Sequence, residues 1–141
     1  MEEKLVKGVW VILSILDIRR LRRNYLIYTI FLIIFALIYE SFSHGVYSNY
    51  MIFSFLIPFI YGYCGSFLIN IGTSKLGNMF YNFGIITLSV GSVFKGILEI
   101  YGTTNKLLYV YIVSGILLVI IGIIVYLYDK KITNIKEKYF A

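Results

Sequence analysis

Residues 107–128 read LLYVYIVSGILLVIIGIIVYLY, 22 consecutive positions without a charged side chain. At ~1.5 Å per residue a helix of this length is ~33 Å long, enough to cross a hydrocarbon core of ~30 Å. Within it Tyr111, Ser114, Gly115, Leu118 and Gly122 share one face at helical spacing. Lipid provides no hydrophobic drive between helices, so small residues that let backbones approach mark the face that meets a neighbour.

Three more stretches have the same character: residues 25–42, 51–71 and 80–100, with lengths of 18, 21 and 21 residues. The intervening segments 43–50, 72–79 and 101–106 are short, so consecutive helices must be antiparallel neighbours. The expected fold is all-α: an integral membrane four-helix bundle, up-down-up-down, without a folded extramembrane domain. Composition agrees, because 60% of the 141 residues are hydrophobic and 14% are charged, with a mean hydropathy of +0.84. A soluble domain this small has no interior large enough for so much apolar surface.

Eleven of the thirteen basic residues cluster in the N-terminal segment, the second connection and the C-terminal tail; Lys106 and the intramembrane Lys95 are the others. Basic residues are retained on the cytoplasmic side, so both termini are expected there. The net charge of +6 is gathered beside membrane segments. That placement points to anionic lipid headgroups as partners and not to nucleic acid. The chain opens Met1-Glu2-Glu3-Lys4 with no basic n-region or small-residue cleavage site, so the N-terminus is expected to be retained.

Residues 1–23 form a basic cytoplasmic segment ahead of the spans at 24–128, and 129–141 form a basic cytoplasmic tail. Residues 5–18 are apolar but too short to cross the bilayer. On a helix Glu3, Lys7, Ser14 and Asp17 make a narrow polar strip opposite Leu5, Val9, Ile12, Leu13 and Leu16. This suits an interfacial amphipathic helix, with Trp10 at headgroup depth and Arg19, Arg20, Arg22 and Arg23 on anionic lipid. A topogenic charge cluster with a frayed lead-in is the other reading of the same residues.

Small residues mark the remaining contact faces: Thr29, Ala36, Glu40 and Ser43 in the first span, and Ser54, Pro58, Tyr61, Gly65 and Gly72 in the second. Pro58 is expected to kink its helix. In the third span Gly84, Thr87, Gly91, Ser92, Lys95 and Glu99 fall within an arc of about 140°, opposite Phe83, Ile86, Val90, Val93 and Ile97.

Charged side chains within a span cost a few kcal/mol unless paired or hydrated, which makes them functional candidates. Antiparallel order puts Glu40 and His44, at the end of the first span, level with Lys95 and Glu99, near the end of the third. Lys95 can pair with Glu99 one turn on or with Glu40 across the interface. Either choice leaves one carboxylate for a protonated His44, a bound cation or a proton of its own. The four residues would then line an outward-facing pocket for an ion or polar ligand. The alternative is structural: Lys95 snorkels to headgroups while both acids sit in hydrated interface.

The one cysteine, Cys64, excludes an intrachain disulfide and a cysteine metal cluster. No phosphate loop, zinc-hydrolase signature or nucleophile–base pair is present, so neither a catalytic residue nor a cofactor is implied and an enzyme is disfavoured. A non-catalytic accessory, sensor or immunity-type component acting by helix contacts fits best. A minimal transporter or channel subunit is the alternative, and four spans would require a homo-oligomer to enclose a pathway. The stretches YESFSHGVYSNYM at 39–51 and GSVFKGILEIYGT at 91–103 resemble a family of uncharacterised small bacterial four-span membrane proteins. That resemblance implies a bacterial cytoplasmic membrane and no activity.

Overall fold

The computed structural model describes residues 1–68 and 74–140, apart from the side chain of Ser14. Residues 69–71 of the second span, Gly72 of its small-residue face and Thr73 lie outside the described residues. The chain is all-α, with four helices long and apolar enough to span a membrane: α1 (Glu2–Ser41), α2 (Asn49–Leu68), α3 (Lys75–Ile100) and α4 (Leu108–Phe140). Contacts between residues far apart in sequence establish the antiparallel order. Tyr25 lies against Gly62, Met51 against Gly96, and Gly77 against Gly122.

The seam between α3 and α4 is the most extensive. A Cβ placed on Gly122 would lie 2.6 Å from the Tyr81 nitrogen, and one on Gly84 would lie 2.8 Å from the Gly115 carbonyl oxygen. Gly77, Gly84 and Gly91 recur every seven residues on α3, as Gly115 and Gly122 do on α4, so backbone meets backbone over about two turns of each helix. Gly77 was expected in a connection; it joins this seam because α3 starts at Lys75, five residues before the apolar run begins. Ser74 caps that start by accepting the Gly77 N–H at 3.1 Å. Around the seam Tyr25, Tyr81, Ile85 and Tyr126 form the buried core, with Ile57, Tyr63, Val119 and Ile123 packed on it.

α2 departs from a regular helix, and this corrects the expected face. Its first turn, Asn49–Ile52, gives way to a turn at Phe53–Phe55 and then to wide π-type turns over Ile57–Cys64, before α-helix resumes at Gly65–Leu68. Pro58 stands at the start of the wide segment, where its missing N–H and its ring disfavour a regular α turn. Wide i→i+5 turns hold more residues than the 3.6 of an α-helix, so positions four apart stay on one side. Ser54, Pro58, Gly62 and Ser66 are therefore the buried row, while Tyr61 is exposed. The Tyr81 hydroxyl donates to the Tyr61 carbonyl at 2.7 Å, giving this irregular stretch a partner from α3.

The lead-in and tail also differ from a segmented picture. Residues 2–23 are helical but continuous with the first span, in one 40-residue helix. Residues 129–140 likewise extend α4, a helix of 33 residues. On α1 the inward face is Tyr25, Thr29, Leu32 and Ala36, while Glu40 and Ser43 are half-buried at its end.

Gly122→Ala is expected to destabilise the fold by about 1–3 kcal/mol, because backbone cannot yield to the new methyl as a side chain can. At Gly8 an added Cβ meets nothing within 4 Å, so Gly8→Ala is expected to be neutral or stabilising by up to ~1 kcal/mol. Unfolding of both variants in detergent measures the contrast.

Candidate polar site at the distal end

Both chain termini lie at one end of the bundle. The opposite, distal end carries the α1–α2 and α3–α4 connections, and there the sequence-designated ionisable residues are found. The centre of this end is a residue the sequence reading did not single out: Ser48, fully buried just before α2 begins. Its N–H donates to Glu40 Oε1 at 3.3 Å, and its hydroxyl donates to Glu99 Oε2 at 2.6 Å. The two carboxylates thus meet on one serine, tying α1, the start of α2 and the end of α3 together. The available signal was a serine directly before a helix start, but Ser48 makes no side-chain cap bond to that helix.

The sequence allows Lys95 to pair with Glu99 or Glu40, or to snorkel to headgroups. Among the described residues it forms no ion pair with either acid; its ammonium lies over the Tyr50 ring, 3.6 Å from the centroid. Tyr50 is held there by the Ser92 hydroxyl, which donates to the Tyr50 carbonyl at 2.9 Å. A cation over an aromatic face gains about 0.5–1 kcal/mol when partly exposed, comparable to an exposed ion pair, so the ring competes effectively. With each acid committed to Ser48, the cation–π contact is the arrangement adopted.

His44 stands apart from this cluster. It takes a left-handed conformation, φ +55°, and precedes Gly45 at φ +90° in the turn after α1. It is exposed, and it borders a separate cavity of about 530 Å³ lined also by Phe35, Tyr39, Phe42, Ile100 and Tyr101. The structure therefore joins Glu40 to Glu99 through Ser48, places Lys95 beside Glu99 along a second cleft, and leaves His44 apart from both, in an exposed turn.

At the proximal end the arginines are not equivalent. Arg19, Arg20 and Arg23 are exposed, as is Trp10. Arg22 turns inward: Nε donates to the Ser66 hydroxyl at 3.1 Å, Nη2 donates to the Ser66 carbonyl at 3.2 Å, and the guanidinium stacks on Phe67 at 3.8 Å. It was expected among the headgroup contacts and instead ties α1 to the end of α2. Ser74 donates to Asp129 Oδ2, joining α3 to α4 at the same end.

Comparison with protein-family models, curated proteins and solved structures gives no match to this chain. A serine hydroxyl bonded to a carboxylate is worth about 1.5–3 kcal/mol, so Ser48→Ala is expected to lower stability by that amount. In a Glu99→Ala background the same change is expected to cost far less, because the acceptor is already gone. An unchanged cost in that background, measured by unfolding in micelles, would show that Ser48 does not couple α2 to Glu99.

Proposed function

We propose that this chain is a non-catalytic, multi-pass protein of a bacterial cytoplasmic membrane that acts through helix contacts, as an accessory, sensor or immunity-type component in a homo-oligomer or larger complex. The observation that supports it is a groove between α1 and α3 toward the proximal end, with a volume of about 280 Å³. It is lined by Leu21, Asn24, Tyr25, Tyr28, Asn82 and Ile86. Tyr25 donates to Asn82 Oδ1, and Asn82 Nδ2 donates to Asn78 Oδ1 at 3.1 Å, while Asn24 is exposed. Amides on a surface otherwise facing hydrocarbon are the groups that hydrogen-bond a neighbouring transmembrane helix. A second copy of the chain is the simplest such neighbour.

The orientation proposed places the proximal end in the cytoplasm. Lys4, Lys7, Arg19, Arg20, Arg22, Arg23, Lys75, Lys130, Lys131, Lys136 and Lys138 all belong to that end, where anionic headgroups would meet Trp10 and the exposed arginines. The bacterial assignment is supported by the resemblance of residues 39–51 and 91–103 to small four-span proteins. An oligomeric transporter or channel subunit is the competing reading. In either case the α3–α4 seam is closed by backbone contact, so a pathway would need surfaces from more than one copy.

Two cysteine experiments in a Cys64→Ser background test these statements. With Asn24→Cys, oxidative cross-linking in membranes is expected to give a covalent homodimer; monomers only, together with single-step photobleaching in vesicles, would defeat self-association through the groove. With Thr104→Cys and Thr133→Cys, an impermeant maleimide applied to intact cells is expected to label position 104 and spare 133. The reverse pattern would invert the orientation.

A further inference from the structure

We infer that the cleft between the distal ends of α3 and α4 binds a compact zwitterion, a molecule with a primary ammonium and an oxyanion a few bonds apart. The cleft has a volume of about 250 Å³, and its polar wall is Lys95, Glu99, Thr103, Thr104, Asn105 and Tyr109, over an aliphatic floor.

The charge balance selects the ligand class. Lys95 and Glu99 are one helical turn apart on the same wall and do not pair with each other. Lys95 is half-buried over Tyr50, and its ammonium has no hydrogen-bond acceptor among the described residues. Glu99 is exposed; it accepts from Ser48 at Oε2, and Oε1 is left open to solvent or to a ligand. A purely anionic ligand would satisfy the ammonium while crowding the carboxylate, and a purely cationic one would do the opposite. A ligand carrying both charges satisfies both groups, with the threonine hydroxyls and the Asn105 amide as further partners.

The rim is already ordered. The Thr103 N–H donates to the Leu98 carbonyl at 2.9 Å and the Gly102 N–H to the Glu99 carbonyl at 3.0 Å, with Gly102 at φ +70°, which ends α3 in a Schellman turn. Asn105 Oδ1 accepts the Leu107 N–H at 2.9 Å at the approach to α4. A preformed rim reduces the ordering cost of capturing a small polar molecule. Two sources supply the same chemistry at this depth: a free amino-acid-like solute, and the ethanolamine phosphate headgroup of a lipid. This inference goes beyond helix association and does not rest on it, since the α1–α3 groove is toward the other end of the bundle.

The test uses the purified full chain in two arms. In detergent, thermal unfolding is followed while titrating glycine or phosphoethanolamine, with acetate and ethylamine as single-charge controls. In nanodiscs of phosphatidylglycerol, unfolding is compared after doping with phosphatidylethanolamine or with phosphatidylcholine. A saturable rise with the soluble zwitterions, absent with the controls, assigns a free solute; a rise only with phosphatidylethanolamine assigns the headgroup. In the responding arm Lys95→Met is expected to weaken apparent affinity about tenfold or more, and Glu99→Gln similarly while still offering Ser48 an acceptor. Thr104→Val, in an exposed loop, is expected to weaken it several-fold and decides the matter if the helix variants fail to fold. No saturable rise in either arm, an equal response to acetate, or a response that survives Thr104→Val and Lys95→Met overturns the proposal.

Discussion

The arrangement depends on one contact, the meeting of α3 and α4 backbones across glycine. In hydrocarbon, apolar side chains gain little by leaving lipid for each other, so association relies on packing density and interhelical hydrogen bonds. Gly84 and Gly115, and Gly77 and Gly122, remove the side chains that would hold the two axes apart. Once α3 is held to α4, Tyr81 is placed against Gly122 on one side and reaches the Tyr61 carbonyl on the other. It thereby links the seam to α2. Tyr25 then fills the space above Gly62 and reaches Asn82, which brings α1 onto the same core.

Around that core, serine is the repeated fastener. Ser48 joins Glu40 to Glu99, Ser66 receives Arg22, Ser74 meets Asp129, and Ser92 holds Tyr50. In three of these ties a charged side chain meets a small hydroxyl from another helix or connection, and in none do two opposite charges pair. The choice is physically sensible at span ends. A charge-assisted hydrogen bond needs only one ion to be partly desolvated, whereas a buried ion pair needs two. Among the described residues no buried side-chain nitrogen or oxygen lacks a hydrogen-bond partner, which is the condition lipid imposes on any polar group it surrounds.

Those ties leave different groups uncommitted at the two ends of the bundle. Glu40, read from sequence as a candidate ligand, is occupied in holding the α1–α2 connection, and His44 stands apart, exposed in the turn after α1. Lys95 and one oxygen of Glu99 retain bonding capacity, beside a loop whose backbone is already closed. The distal end therefore separates into a structural half, centred on Ser48, and an open half, centred on the cleft. At the proximal end α1 and α4 continue as helix beyond the packed core, and their basic residues remain outward except Arg22.

Hydropathy and charge order alone determined the number of helices, their antiparallel succession and the gathering of basic residues at one end, because these depend on span length and loop length. Gly84 and Gly91 on α3 and Gly115 and Gly122 on α4 were legible because both helices are regular and keep a 3.6-residue period, whereas Gly77 was hidden in an apparent connection and Ile85, Ser89 and Gly96 are buried beyond the expected α3 face. On α2 that period failed after Pro58, since wide turns rephase the helix and bury Gly62 and Ser66 in place of Tyr61 and Gly65. Sequence also placed Glu40 level with Glu99, but it could not reveal that both would select Ser48, or that Lys95 would prefer a tyrosine face to a carboxylate. Those outcomes depend on side-chain reach across three helices. They are decided only when the backbones have been brought to their final separation.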